Sequence, residues 1–224
     1  MVAAVAVLMA VQAWNRVQGQ LTYLRLLDLK SDWHEATRVP RDEELNRGFK
    51  LGYKALERDP ASADYRFMLA TMHAWREKGL RLWPDQAAAE TDKIVENLKA
   101  ALARRPTWFE AWVLLALIKF QAGEIDQQFK AAVEKAIETG PYETSVHHGL
   151  AFIGPRVVDR LGPELEGQVL DLMRTALDNP GVDRFVVEQI VMSGMEELFL
   201  DKLTSDEGLA KLMERFQKKR NEAL

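Results

Sequence analysis

Residues 104–124, RRPTWFEAWVLLALIKFQAGE, carry apolar side chains on nearly every side of a helix, with Pro106 before the run and Gly123-Glu124 after it. A helix without a polar face has to be covered on most sides, so this one is expected inside a stack of helices. Residues 1–14, MVAAVAVLMAVQAW, are apolar except for Gln12, and Asn15-Arg16 end that run. Leu21, Leu24 and Leu27, followed by Lys30 and Ser31, outline an amphipathic segment that continues from it. SDWHEATRVPRDEEL is a polar break in which Pro40 disfavours helix at residue 39. The next helix is expected from Asp42, with Glu43 and Glu44 in its first turn, where the macrodipole favours acids. No run of alternating β-branched residues is bounded by turn dipeptides. In the one β-like stretch, RFVVEQIVM, the spacing of Phe185, Glu188, Gln189 and Met192 predicts a helix instead. The pattern is that of an all-α protein.

Beneath the helical pattern lies a repeat. Pro60, Pro106 and Pro141 each have an alanine five residues before them (Ala55, Ala101, Ala136) and a Leu-Ala pair nine and ten residues after (Leu69-Ala70, Leu115-Ala116, Leu150-Ala151). Pro180 carries a weaker echo in Ala176-Leu177, without the later pair. The spacings of 46, 35 and 39 residues suit a two-helix unit. Proline is tolerated at a helix start but not inside one, so it is expected to hand the chain from one helix to the next. Alanine just before lets helices approach closely, and Gly123 suits a C-terminal cap with positive φ.

Ala111-Trp112, Leu115-Ala116, Gly123, Ala136 and Pro141 resemble a tetratricopeptide repeat, implying an array of antiparallel helix pairs. The unit departs from that motif by one extra residue between Gly123 and Ala136, and by Lys119 where an aromatic is usual. The unit from 60 to 106 is lengthened around KGLRLWP. Over roughly residues 60–180 the order RPTWFEAW…LA…AGEIDQQFKAAVEKAIETGPYETSVHHGLAFIG…DRLGPE is similar to the VpsP-type polysaccharide biosynthesis proteins. Its specific parts are Arg105-Pro106, Trp108, Trp112, Gly140-Pro141, Glu143 and Asp159-Arg160-Leu161. That resemblance implies an accessory role in making or exporting a bacterial exopolysaccharide, through protein partners and with an anchor in the inner membrane. It brings no catalytic motif.

The anchor reading meets a length limit. Fourteen residues reach roughly 21 Å, short of a hydrocarbon core of roughly 30 Å. A secretory signal would carry a basic n-region, and Val11-Gln12-Ala13 is a poor cleavage site. Residues 1–14 are therefore read as the C-terminal part of a membrane anchor starting upstream of Met1, with a buried N-terminal helix as the alternative. Residues 15–40 are then a connector and 41–224 the repeat domain. Arg16, Arg25 and Lys30 favour a cytoplasmic body, though Asp28, Asp32 and Glu35 lie among them; the body is expected in the periplasm, with a cytoplasmic one as the alternative. Orientation stays open.

Composition narrows the chemistry. A net charge of −4 exerts no general pull on nucleic acid, and the absence of cysteine excludes disulfides and thiolate zinc sites. There is no phosphate-binding glycine motif, H-E-x-x-H or G-x-S-x-G. Of the four histidines, His34, His73, His147 and His148, the adjacent pair points about 100° apart on a helix and does not converge on a metal. Glu43-Glu44 and Glu196-Glu197 diverge likewise, and FQKKRNEAL reads as a basic helix end. No catalytic, cofactor or metal residue is expected, and the chain is read as a non-enzymatic scaffold. The alternatives are a soluble repeat module with another envelope or secretion client, or a sugar-binding component.

Four of the six tryptophans, Trp75, Trp83, Trp108 and Trp112, fall within 38 residues. Trp112 fits a core slot. Arg66, Trp75, Trp83 and Trp108 are the candidate interaction surface, with Arg76 beside them, because aromatics bury area at little entropic cost. The competing reading makes these tryptophans core and loop packing and the arginines solvated.

Overall fold

The computed structural model describes residues 2–35, 40–79, 84–203, 214–218 and 220–221. They form helices α1 (Val2–Glu35), α2 (Asp42–Arg58), α3 (Ala63–Gly79), α4 (Pro84–Leu102), α5 (Phe109–Gln121), α6 (Gln127–Thr139), α7 (Thr144–Leu161), α8 (Pro163–Leu177), α9 (Asp183–Ser193) and α10 (Glu196–Leu203). Residues 214–218 are helical as well, and no strand occurs among the described residues. The stretch RFVVEQIVM lies in α9, as its spacing predicts. The chain divides into two compact units, 1–106 and 107–224.

In the first unit α1 packs on α2, α2 on α3 and α3 on α4. The core joins Leu26 and Trp33 of α1, Leu45 and Phe49 of α2, and Tyr65, Met68, Leu69 and Met72 of α3. The amphipathic pattern of α1 differs from the sequence reading. Its buried stripe is Gly19, Thr22, Leu26 and Trp33, whereas Leu21 and Leu24 are nearly half exposed. The reason is distance of approach. A Cβ at Gly19 would lie 3.2 Å from Arg58 Cβ and 3.3 Å from the Ala55 carbonyl oxygen, so small residues let α1 sit against the end of α2. Helix α2 begins at Asp42 with three acids in its first turn, and the Arg41 N–H donates to the Glu44 carboxylate at 2.7 Å.

In the second unit α5 packs on α6 and α7, α7 also on α8 and α9, and α8 on α6, α9 and α10. No residue of α5 from Ala111 to Phe120 is fully exposed, which accounts for its missing polar face. The helix ends in paired capping bonds, Gly123 N–H to the Phe120 carbonyl and Glu124 N–H to the Lys119 carbonyl, both 2.9 Å, with Gly123 at φ +74°. This is the glycine-terminated geometry in which a Cβ would be strained.

The prolines act differently from expectation. Helices α3, α5, α7 and α9 each begin three residues after Pro60, Pro106, Pro141 and Pro180. Proline thus sits in the connecting turn, not at the helix start. At three of these junctions the carbonyl before proline accepts the N–H two residues after it: Asp59–Ser62 at 3.2 Å, Gly140–Glu143 at 3.1 Å and Asn179–Val182 at 2.9 Å. That places proline second in a β-turn, where its fixed φ is favourable. On the other side, Ala55, Ala101 and Ala136 are fully buried and accept the N–H four residues on at 3.0, 2.9 and 3.0 Å.

Lys119, buried in α5, extends its ammonium to Asp126 at 2.7 Å and to Glu124. Burial opposes the charge, but the hydrogen bonds that the ammonium donates to Asp126 and Glu124 outweigh it and raise the lysine's pKa. The Asp126 carboxylate also caps α6 by accepting the Phe129 N–H at 2.9 Å; Lys119 and this backbone bond hold its pKa below the usual carboxylate value. Asp126→Ala is expected to cost about 1 kcal/mol, the usual worth of an N-cap, read by urea unfolding at pH 7. The wild-type advantage is present above the unfolded carboxylate pKa and is lost as pH falls through the lower folded value. An unchanged midpoint would show that solvent replaces the cap.

Where α5 meets α7, a Cβ added at Gly149 would overlap Val113 Cγ1. Helix propensity alone favours alanine over glycine by about 1 kcal/mol. The crowding is expected to reverse that sign, so that Gly149→Ala costs about 1–3 kcal/mol. Val113→Ala in the same chain should relieve most of this loss in a double-mutant cycle of thermal unfolding. A stabilised Gly149→Ala single variant would contradict the close approach.

Candidate functional site

The residues that the sequence grouped have these surroundings within their own units. Arg66, half-buried on α3, donates from Nη1 to Asn97 Oδ1 of α4 at 3.3 Å. Trp75 lies nine residues on, a half-turn away around the helix, and packs edge-on against Trp33 with ring centroids 5.8 Å apart. These two face opposite sides of α3. Trp108 is half-buried in the second unit, where it is the residue before α5, with φ −86° and ψ 91°. Trp83 lies outside the described residues. Trp112 is half-buried within α5. Arg76 is not solvated: its guanidinium lies 4.2 Å from the Phe49 ring centroid, donates to Asn46 Oδ1 at 2.6 Å and stands 3.5 Å from Asp42.

The polar centre of the first unit is one that no sequence signal announced. His73 of α3 is buried between Tyr53 of α2 and Glu90 of α4. Its Nε2 is 3.0 Å from the Tyr53 hydroxyl, and its Nδ1 meets Glu90 Oε2. Glu90 Oε1 accepts from Lys93 Nζ at 2.9 Å. The Phe49 ring lies 4.4 Å from the imidazole. Because an ionised carboxylate only accepts, Nδ1 carries the proton, and Nε2 accepts from the Tyr53 O–H. Burial holds the imidazole pKa below its usual value despite the opposing pull of Glu90. Burial works to raise Glu90, yet hydrogen bonds from Lys93 and His73 outweigh it and keep its pKa low.

Tyr53 belongs to this chain from its inner side and to a surface groove from its outer side. The groove, about 700 Å³, runs along α2 and is lined by Asn46, Phe49, Lys50, Tyr53, Lys54 and Glu57. Lys50 and Lys54, one turn apart, have no ion-pair partner among the described residues. His73 and Glu90 thus fix the ring of a tyrosine that flanks two cationic side chains. The arrangement positions a side chain; it does not bring an acid and a base to bear on one bond.

Elsewhere, the adjacent histidines diverge as their helical spacing requires. His147 is buried, its Nε2 2.8 Å from the Pro141 carbonyl, while His148 packs edge-on against Phe185 at 5.0 Å. No group of three or more His, Asp or Glu converges in a metal-like cluster among the described residues. Among the described residues, the start of α1 is an exposed apolar feature. Every residue from Val2 to Trp14 is exposed. No helix among the described residues is long and apolar enough to cross a membrane. Comparison with protein-family models finds no match, and neither does a search of curated proteins.

The His73 centre carries a pH signature. A histidine whose folded pKa lies below its unfolded value of 6.5 binds its proton more readily when unfolded. Stability therefore falls as pH drops through that value. Glu90, with its pKa lowered, adds a second loss below the unfolded carboxylate value of 4.5. Urea midpoints are expected to decline between about pH 7 and pH 5, and His73→Gln should flatten that decline. A wild-type profile as flat as the variant's would refute a neutral buried His73.

Proposed function

We propose that this chain is a non-enzymatic, membrane-attached helical-repeat scaffold that serves bacterial exopolysaccharide synthesis or export through protein contacts on its packed helices. The observation that carries the reading is the first part of α1. Residues 2–14 stand exposed and, except for Gln12, apolar, with Val7 and Trp14 more than 60% accessible. An apolar surface of this kind calls for a membrane or a partner. The body beyond it supplies the scaffold. Four helices start at the same offset from a proline, three of the junctions share a turn bond and three carry a fully buried alanine five residues before the proline, which supports stacking of tetratricopeptide-like pairs. In this reading the first unit, 1–106, combines the attachment helix with the lengthened pair, and the second, 107–224, holds the more regular pairs.

The assignment to polysaccharide assembly rests on the resemblance of residues 60–180 to the VpsP-type proteins. A role in the inner membrane with a periplasmic body accompanies that assignment. One observation favours the sugar-binding alternative for the same scaffold: the α2 groove, in which a half-exposed aromatic ring stands between Lys50 and Lys54.

The test is attachment and topology. The chain, expressed from its gene with the upstream in-frame codons included and a compartment-sensitive reporter after Leu224, is expected in the membrane fraction, resistant to high salt, with the reporter active outside the cytoplasm. Deletion of residues 2–14 is expected to release a folded, soluble body. Recovery of the undeleted chain in the soluble fraction would overturn membrane attachment. A membrane-bound chain with a cytoplasmic reporter would reverse the orientation.

A further inference from the structure

The chain of Tyr53, His73 and Glu90 has one end inside the first unit and the other at its surface. His73 and Glu90 are buried, whereas Tyr53 is 42% exposed and lines the α2 groove. At the outer link both partners can change roles. An imidazole Nε2 accepts when bare and donates when protonated, and a phenol oxygen does either. The 3.0 Å contact between Tyr53 and His73 therefore suits a hydrogen bond of either polarity. The inner link has no such freedom. The Glu90 carboxylate accepts, so Nδ1 keeps its hydrogen in both states.

We propose that His73 and Tyr53 form a proton-operated switch, in which uptake of one proton at Nε2 reverses the hydrogen bond between them and turns the Tyr53 O–H outward to the α2 groove. With His73 neutral, Tyr53 donates to Nε2, and the groove meets the lone pairs of the phenol oxygen. With His73 protonated, Nε2–H donates to that oxygen. The phenol hydrogen then takes the other position in the plane of its ring, away from the imidazole. Tyr53 has no further hydrogen-bond partner among the described residues, so this hydrogen falls to water or to a ligand in the groove. Beside Lys50 and Lys54, the added O–H makes the groove a better partner for an anionic oxygen at acid pH than at neutral pH.

The proton has a path and a counter-charge. His73 is 2% exposed, so Nε2 reaches solvent through Tyr53. A hydronium ion in the groove gives a proton to the phenol oxygen as the phenol's own hydrogen passes to Nε2. Water is left outside, one phenol O–H bond forms as one breaks, and the new O–H lies on the groove side. The groups that face His73 are Tyr53 and the Phe49 ring on α2, Arg76 on its own helix, and Glu90 and Lys93 on α4. Burial opposes the imidazolium, as do Lys93 and Arg76, while Glu90 favours it through its hydrogen bond and its charge. Burial prevails, which sets the switch on the acid side of the ordinary histidine value of 6.5. Against burial, hydrogen bonds from Lys93 and His73 lower the pKa of Glu90 and keep it ionised. Burial raises the pKa of Tyr53, so the phenol carries one hydrogen in both states.

Four histidines and four tyrosines allow selective labelling of the full chain in mild detergent. With nitrogen-labelled imidazoles, and His73→Gln to assign the signals, His73 is expected in its Nδ1–H form at pH 8. It should take its second proton below pH 6.5 while the backbone amide spectrum stays that of the folded chain. The C–O stretch of a phenol falls when the hydroxyl donates and rises when it accepts. For Tyr53, read as the vibrational difference between wild type and Tyr53→Phe, it is expected to rise with the same midpoint as the His73 titration. In His73→Gln it should stay constant over that range. Glu90→Gln keeps an acceptor for Nδ1 but removes the counter-charge, and should lower the midpoint by about one pH unit or more. A hydrogen on Nε2 already at pH 8 would overturn the proposal. So would a C–O stretch that stays still while His73 titrates, or a His73 that gains its proton only as the folded amide signals vanish. The last outcome would make the centre a structural link alone.

Discussion

The structure depends on how closely helices approach at each hand-over of the chain. Before three of the prolines an alanine is fully buried, and its carbonyl takes the N–H four residues on. The small side chain and the capping bond belong together. The backbone has to end its helix and turn within a few residues. Any longer side chain there would force the helices apart and open voids along their length. Gly149 against Val113, and Gly19 against Ala55 and Arg58, are the same constraint taken one carbon further.

Close packing leaves few places for polar groups, and two buried ones, Lys119 and His73, are held in compact sets. Lys119 neutralises two acids at the α5–α6 turn and is tied to a helix cap, so a buried cation becomes part of a turn. His73 links three helices through Tyr53 and Glu90, with Lys93 completing the charge balance. Buried ionic groups are costly alone and tolerable when every hydrogen-bonding site is used. Neither set converges on an open space as a catalytic group would. What they do is orient neighbours, most visibly the Tyr53 ring at the α2 groove. The first residues of α1, 2–14, are left exposed by the rest of the described chain.

Several features could be read directly from the residues. Helix α2 starts where Pro40 and the acids at 42–44 require, and Gly123 takes the positive φ that ends α5. These are local matters of dihedral freedom and terminal charge, governed by neighbours in sequence. The candidate surface fared differently. Arg66 and Trp75 turned to opposite sides of α3, because one found Asn97 and the other Trp33. Residue type told that they could bind; only the helices on either side decided what each would touch. The role of proline was also displaced by three residues, since a tight turn and a helix start both suit its fixed φ.

Helical periodicity, punctuation and the alanine–proline register were determined by the sequence alone, because each arises from interactions within a few residues. Tertiary structure decided which stripe of α1 is buried. Leucines at 21 and 24 looked like the inward face, but glycine and threonine at 19 and 22 permit a closer approach, and packing followed distance, not hydrophobicity. It also decided the His73 centre, whose members lie 17 and 20 residues apart and come together only when α2, α3 and α4 pack. Hydrogen bonds between helices have no signature along the chain, since their partners are chosen by the geometry of packing and not by sequence separation.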